Sequence, residues 1–198
     1  MTKSRHRSLW KLERKSIMDW NNLESQVYTL SKKAFFNLLN DHLDERFYAF
    51  AMYTDSSAMT ICLAANSLEK LNEKIDEEDE EDEEDKTDEA ISYFKWTTSE
   101  WAYEAFEGDA FAEINRALRN DKERNEFNTF SENLITSMTN VLALLVNEDF
   151  FKKKPIIDGA VVFVTITDDD AAQSIENISA KLLNTEDTSQ TFLKRFDF

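Results

Sequence analysis

The hydrophobic positions in the first third of the chain form two different patterns, a helical repeat and then two nearly continuous runs. Within residues 20–38 apolar side chains recur at steps of three and four, and Asp19 precedes them as a helix N-cap. Two nearly continuous apolar runs, residues 47–53 and 58–65, then flank the polar turn 55–57. This pattern predicts a long amphipathic helix followed by a β-hairpin, and the unbroken apolar runs indicate central strands of a sheet.

The middle of the chain shows shorter helical and strand patterns. Asn66 is the predicted N-cap of a short second helix, and residues 91–96 are predicted to form a third strand. Thr97 and Glu100 have the Thr-x-x-Glu spacing of a capping box, which predicts a helix through residue 106.

The C-terminal half continues the same mixture of elements. Apolar stripes at residues 111–118 and 127–145 predict two helices, and residues 160–167 predict a fourth strand entered through an Asp158-Gly159 turn. Asp168 to Asp170 are the predicted N-cap of a last helix, with a metal site as the alternative. We therefore expect an α+β fold, with an approximately four-stranded, largely antiparallel sheet and about five or six helices.

Charge divides the chain into segments. The 198 residues suit one domain, and the formal net charge is -17. Residues 1–17 are basic, so we interpret them as an N-terminal extension of a domain at 18–184. Within that domain we interpret residues 76–89 as an acidic disordered insert, and we interpret 185–198 as a C-terminal tail.

Several classes of function are disfavoured by composition. The chain has only two glycines and no glycine-rich phosphate loop, and its negative charge repels nucleic acid and membrane phosphates. Cys62 is the single cysteine, which fits a reducing cytoplasm, and a catalytic pair of Cys62 with His42 is the alternative to a buried structural role. We expect no metal, no cofactor, no membrane span and a cytoplasmic location.

The aromatic segment 93–106 is the strongest candidate site. Tyrosine and tryptophan combine a large apolar face with a polar tip, which suits a binding surface, although the same segment could form a corner of the core. Glu100 and Glu104, four residues apart on the predicted helix, could alternatively perform acid–base chemistry on a sugar. The predicted partner-binding residues are Tyr93, Trp96, Glu100, Trp101, Tyr103 and Glu104.

The ten consecutive carboxylates at residues 76–85 have two interpretations. Ten like charges cannot be buried without partners, so the run is predicted to be a solvated loop. The alternative is an electrostatic attractor for a basic partner, and its predicted residues are Asp76, Asp79, Asp82 and Asp85.

Four stretches, "FYAFAMYTD", "LAAN", "YFKWTTSEWAYE" and "VVFVTITDDD", occur in this order. Together they resemble the bacterial family of domain of unknown function 4303, over residues 20–184. The resemblance brings no catalytic residues. It implies a small cytoplasmic bacterial protein, and some members are similar in setting to immunity proteins of toxin systems.

Three functions are compatible with these observations. The first is a non-enzymatic acidic protein that docks on a basic partner such as a toxin nuclease, in the manner of an immunity protein. The second is a small enzyme that uses carboxylates beside the Trp-rich segment. The third is a scaffold or stress protein.

Overall fold

The computed structural model of the protein describes residues 17–81 and 87–198. Within these ranges the chain forms a four-stranded sheet and seven α-helices, so the predicted α+β class is confirmed. In chain order the elements are α1 (Trp20–Asp41), β1 (Phe47–Asp55), β2 (Cys62–Ser67), α2 (Leu68–Glu81), α3 (Asp88–Trp96), β3 (Tyr103–Glu104), α4 (Ala112–Asn120), α5 (Phe127–Asn147), β4 (Ile156–Thr167), α6 (Ala172–Leu183) and α7 (Glu186–Leu193).

The sheet is mixed but mostly antiparallel. Its strand order is β3-β2-β1-β4, with β1 antiparallel to β2 and β2 antiparallel to β3. The predicted hairpin is confirmed, and Tyr53 faces Cys62 next to its turn. β4 pairs with β1 in parallel, which a chain can do only after a long crossover, here the segment from α2 to α5.

Both faces of the sheet are covered, as the unbroken apolar runs predict. On one face Phe50 and Met52 join the core formed with α1 and α5. On the other face Ala49 and Ala51 pack in a second core that contains Phe163. β1 is therefore a central strand buried on both sides.

The predicted third strand at 91–96 is wrong, because this segment belongs to helix α3. The Oγ1 atom of Thr87 accepts a hydrogen bond from the Ala90 amide (3.1 Å), which caps the helix. Asp88 and Glu89 in the first turn interact favourably with the positive end of the helix dipole. These local signals favour a helix over the strand expected from the aromatic side chains.

The predicted helix through residue 106 is also wrong. The chain makes a single 3₁₀ turn at Thr98–Glu100 and then forms the edge strand β3, where Tyr103 pairs with Ala65 of β2. The side chain of Thr97 makes no capping hydrogen bond, and Ala105 has a left-handed backbone (φ 52°). That conformation cannot continue an α-helix, so pairing with β2 determines the structure here.

Two of the predicted caps have different outcomes. Asp19 caps α1 as predicted, by accepting a hydrogen bond from the Asn22 amide (3.1 Å). The Asn66 cap is wrong, because Asn66 is buried in β2 and Ser67 Oγ accepts from the amide of Lys70 instead (3.1 Å).

The entry to β4 and the start of α6 also differ in detail from the prediction. The Asp158-Gly159 pair lies inside β4, not in a turn before it. The N-cap of α6 is Ala171, which makes no side-chain cap, although Asp169 Oδ1 accepts from the Ala171 amide (2.8 Å). The acidic triplet therefore contributes one hydrogen bond just ahead of the helix.

The predicted extension, acidic insert and C-terminal tail can be compared with the structure only where the chain is described. α2 extends to Glu81 and α3 begins at Asp88, so the predicted loop is wrong at residues 76–81, which are helical, as are Asp88 and Glu89. Residues 82–86 lie outside the described residues. Residues 1–16 of the basic extension also lie outside them. The tail 185–198 contains α7, and its Phe192 is fully buried against the sheet. None of the helices in these ranges is both long and apolar enough to cross a membrane.

Candidate functional site

A cavity of about 640 Å³ lies between the C-terminal end of α1 and the connection from β3 to α4. We call it the acidic cavity. It is lined by Ala34, Asn37, Leu38, Asp41, His42, Tyr103, Ala105, Phe106, Glu107, Gly108 and Asp109. Its volume is within the range of ~300–1,000 Å³ that is typical of ligand sites.

Two residues that line this cavity, His42 and Tyr103, form a hydrogen-bonded group with the buried Glu45. The Tyr103 hydroxyl donates to Glu45 Oε1 (2.5 Å) and lies 2.9 Å from His42 Nδ1. His42 Nδ1 is itself 3.0 Å from Glu45 Oε1, and Ser67 Oγ donates to Glu45 Oε2 (2.5 Å). The carboxylate of Glu45 is only 8% exposed, so these partners stabilise a charge that would otherwise be unfavourable to bury.

The fold explains why these residues meet. His42 is the C-cap residue of α1, and the chain then turns so that Glu45 lies beside it before β1 begins. Tyr103 reaches the same place because β3 pairs with β2 at the edge of the sheet.

The surroundings of Tyr103 are strongly negative. Burial raises the pKa of its hydroxyl, and the neighbouring carboxylates of Glu45, Glu73 and Asp44 raise that pKa further. The cavity rim adds exposed carboxylates, whereas no lysine or arginine is among its lining residues. A cation is therefore favoured at this cavity and an anion is disfavoured.

Two non-glycine residues of the cavity wall have left-handed backbones. Ala105 has φ 52° and Glu107 has φ 54°. Such conformations are unfavourable for residues with a Cβ atom, and in proteins they concentrate at binding and active sites. They turn the chain twice between β3 and α4, and this places Phe106 in the cavity wall and against the buried ring of Phe35.

Trp101, a predicted partner-binding residue, lies in the core. Its side chain is 3% exposed and packs against Tyr48 and Phe163. Its Nε1 atom donates to the carbonyl oxygen of Lys95 (3.0 Å). The alternative interpretation, a corner of the core, describes Trp101 correctly.

The other predicted partner-binding residues do not form one surface. Tyr93 is 47% exposed and Glu104 is exposed, whereas Trp96, Glu100 and Tyr103 are partly buried. Of the six predicted residues, Tyr103 is the one that lines the acidic cavity. The six therefore contribute to a core corner, a sheet edge and a cavity wall.

The carboxylates proposed for acid–base chemistry do not converge. Glu100 lies 3.7 Å from the ammonium of Lys74, while Glu104 accepts a short hydrogen bond from the Tyr53 hydroxyl. The concave site at Trp96, about 300 Å³ in volume, is lined by neither glutamate. This geometry gives no support to chemistry by that pair.

The predicted electrostatic residues are covered only in part. Asp76 is exposed on α2, and Asp79 is also on α2. Asp82 and Asp85 lie outside the described residues.

Sequence reasoning missed most residues of the acidic cavity. Asp41, Glu107 and Asp109 stand in polar stretches with no recognisable motif. The one available signal was His42, a histidine at the end of a helix and followed three residues later by a glutamate. The partner of that pair, Tyr103, is about sixty residues distant and could be placed only by the fold.

Metal and thiol chemistry have little basis in the described parts of the chain. They contain no group of three His, Cys, Asp or Glu residues that could hold a metal ion. Burial raises the pKa of the Cys62 thiol, and its hydrogen-bonding neighbours are Tyr53 and Thr60 rather than His42. A raised thiol pKa makes a thiolate nucleophile less available.

Comparison with known proteins gives a family and no closer relative. No curated protein and no solved structure matches this chain. A family model described as "Domain of unknown function (DUF4303)" matches residues 27–185, which include the sheet and the acidic cavity. The chain therefore belongs to the DUF4303 family.

Proposed function

We propose that this protein is a non-enzymatic binding protein that docks on a basic protein, and that the acidic cavity receives a Lys or Arg side chain of that partner. A nuclease has the required chemistry, because a phosphate-binding active site carries lysine and arginine. The net charge of -17 favours such a partner at long range.

The observation that carries the proposal is the composition of the cavity. Asp41, Glu107 and Asp109 are exposed at its rim, and none of them has an ion pair or side-chain hydrogen bond within the described ranges. Phe106 and Tyr103 provide aromatic surface below the rim, against which a cation packs favourably. Unpaired carboxylates above aromatic rings match the charge and the apolar stem of a long basic side chain.

The test is a titration of the protein with a short arginine-rich peptide, beside an aspartate-rich peptide of equal length. The variant to compare with wild type is the triple substitution Asp41→Asn, Glu107→Gln and Asp109→Asn. Exposed ion pairs contribute about 0.2–1 kcal/mol each, so the triple variant should weaken binding by about 3- to 140-fold. The wild-type affinity should also fall with added salt.

The matched control removes three negative charges elsewhere, by Glu132→Gln, Asp170→Asn and Asp197→Asn. These residues are exposed and do not line the cavity. If both triple variants weaken peptide binding equally, only net charge matters and the cavity has no role. If the arginine peptide does not bind wild type more tightly than the aspartate peptide, the whole proposal is wrong.

A second candidate, an enzyme, has one observation in its favour. Glu45 and Tyr103 hold Nδ1 of His42, while Nε2 has no hydrogen bond within the described residues. A histidine oriented in this way by a buried carboxylate can act as a general base through its other nitrogen. Hydrolysis of ester, amide or glycoside substrates that disappears in both His42→Gln and Glu45→Gln, with folding unchanged, would favour this candidate.

A further inference from the structure

A second cavity, of about 440 Å³, has the opposite charge. It lies between α1 and the segment that follows α5, and we call it the basic cavity. It is lined by Tyr28, Thr29, Lys32, Lys33, Phe36, Phe150 and Lys153. Three lysines and three aromatic rings among seven lining residues contrast with a chain of net charge -17.

The lysines of the basic cavity carry more positive charge than the neighbouring carboxylate neutralises. Lys32 is compensated, because its Nζ lies 2.5 Å from Glu148 Oε2 and 2.7 Å from the Tyr28 hydroxyl. Lys33 and Lys153 are exposed and make no ion pair within the described residues, although Glu148 also attracts Lys153 electrostatically. The cavity therefore has three ammonium groups against the one carboxylate of Glu148, an excess of two positive charges.

The aromatic surface of the cavity is open to a ligand. Phe36 is 58% exposed, a large apolar ring left in water. It follows Lys33 by three positions and Lys32 by four on α1, a spacing that brings helical side chains together. Phe150 is buried and provides an apolar floor.

A bend in the chain after α5 forms one side of this cavity. Asp149, which follows α5, has a left-handed backbone (φ 55°), and a short 3₁₀ turn at Phe150–Lys152 comes next. The bend turns Phe150 towards the core and brings Lys153 to the cavity beside α1. The Nζ atom of Lys153 lies 5.4 Å from the centre of the Phe150 ring, so a cation already packs on this aromatic floor.

We propose that the basic cavity binds a small phosphorylated ligand with an aromatic base, of the mononucleotide class. The phosphate lies between Lys33 and Lys153, and the base stacks on Phe36. Lysine ammonium groups bind phosphate, and bases stack on exposed aromatic side chains. The overall negative charge disfavours a long polynucleotide, whereas salt screens a small ligand from charges more than about 8 Å away.

The test is calorimetric titration of the full chain at physiological salt with AMP, adenosine and inorganic phosphate. AMP should bind at least about tenfold more tightly than either part alone, because it uses both the ammonium groups and the ring. Absence of AMP binding up to about 10 mM would overturn the proposal. Equal affinities for AMP and inorganic phosphate would overturn it too, since the ring would then contribute nothing.

Single substitutions assign the contacts. Lys33→Gln, Lys153→Gln and Phe36→Ser should each weaken AMP binding by about fivefold or more. These side chains are exposed, so the fold should be retained. Unchanged AMP affinity in all three variants would mean that binding occurs elsewhere.

Matched controls come from the same chain. Lys122→Gln and Lys181→Gln remove exposed lysines outside the cavity, and Leu182→Ser removes an exposed apolar side chain. All three should leave AMP affinity within about twofold of wild type, and a loss as large as that of the cavity variants would overturn the proposal. The triple variant of the acidic cavity should also bind AMP normally at this salt concentration, so the two proposals fail independently.

Discussion

Trp101 offers a direct test of the packing between the sheet and its second face. Replacing it by alanine removes a side chain that is 3% exposed and packed against Tyr48 and Phe163. Truncation of a buried Phe or Trp costs about 3–5 kcal/mol. The hydrogen bond to the carbonyl of Lys95 is lost as well, but that carbonyl keeps the Tyr48 hydroxyl as a donor (2.7 Å). No buried acceptor is left without a partner, so we expect about 3–4 kcal/mol for Trp101→Ala.

The assay is urea unfolding followed by tryptophan fluorescence and circular dichroism, supported by thermal melts. For a chain of this length, 1 kcal/mol corresponds to roughly 2–4 °C in Tm, so Trp101→Ala should lower Tm by about 6–16 °C. Tyr93→Ala is the matched control, because Tyr93 is 47% exposed and its loss should change stability by less than about 1 kcal/mol. The dependence on urea should be similar in both variants.

One outcome would refute this reasoning. If Trp101→Ala unfolds within about 1 kcal/mol of wild type, the ring cannot be part of the core in solution. A simultaneous loss of peptide binding in that stable variant would then restore Trp101 as a partner-binding residue.

Two further predictions concern the C-terminus and alkaline pH. Arg195→Ala should lower the free energy of unfolding by about 3–5 kcal/mol in urea titrations. The reason is that the Glu176 carboxylate, which lies 2.6 Å from the Arg195 guanidinium, would lose its cation. A loss below about 1 kcal/mol would contradict a structural role for the tail. Burial raises the pKa of both Tyr48 and Tyr53, so only the unfolded chain ionises these phenols just above pH 10. The contribution of these two phenols to the free energy of unfolding should therefore be constant below about pH 10 and fall above it by about 1.4 kcal/mol per pH unit for each phenol. Tyr48→Phe should reduce the slope of the free energy of unfolding above about pH 10, and an unchanged slope would contradict the assignment.

Elements with a strong period could be predicted from the sequence, and those determined by tertiary contacts could not. The stripes of α1 and α5 and the apolar runs of the hairpin each continue long enough to be unambiguous. The segment 91–96 has six residues and many aromatic side chains, so its pattern cannot distinguish a strand from a helix. Its conformation follows from the Thr87 cap and from Ser92, whose hydroxyl donates to the Arg195 carbonyl oxygen about a hundred residues away.

The parallel pairing of β4 with β1 could not be predicted from the sequence either. The apolar run 160–167 indicates a strand, but the neighbour that it pairs with depends on how the helices between β1 and β4 pack. The candidate site has the same limitation, since His42 and Tyr103 become neighbours only once β3 joins the sheet edge. Exposure could not be read from residue type either, because the segment 93–106 contains both a buried Trp101 and an exposed Tyr93.

The two cavities share α1, so the electrostatic interaction between them depends on the salt concentration. Lys33 in the basic cavity and Asp41 in the acidic cavity are eight residues apart, which is about 12 Å along a helix. At physiological salt the screening length is about 8 Å, so neutralising Asp41, Glu107 and Asp109 should leave AMP affinity unchanged. At an ionic strength of about 0.01 M the screening length rises to about 30 Å, and the carboxylates of the acidic cavity should then repel the phosphate of AMP. We therefore expect the same triple variant to bind AMP more tightly than wild type at low salt only, measured by calorimetry at both concentrations. An increase of similar size at both concentrations would contradict a long-range electrostatic effect and would indicate that the two cavities are coupled through the structure of α1.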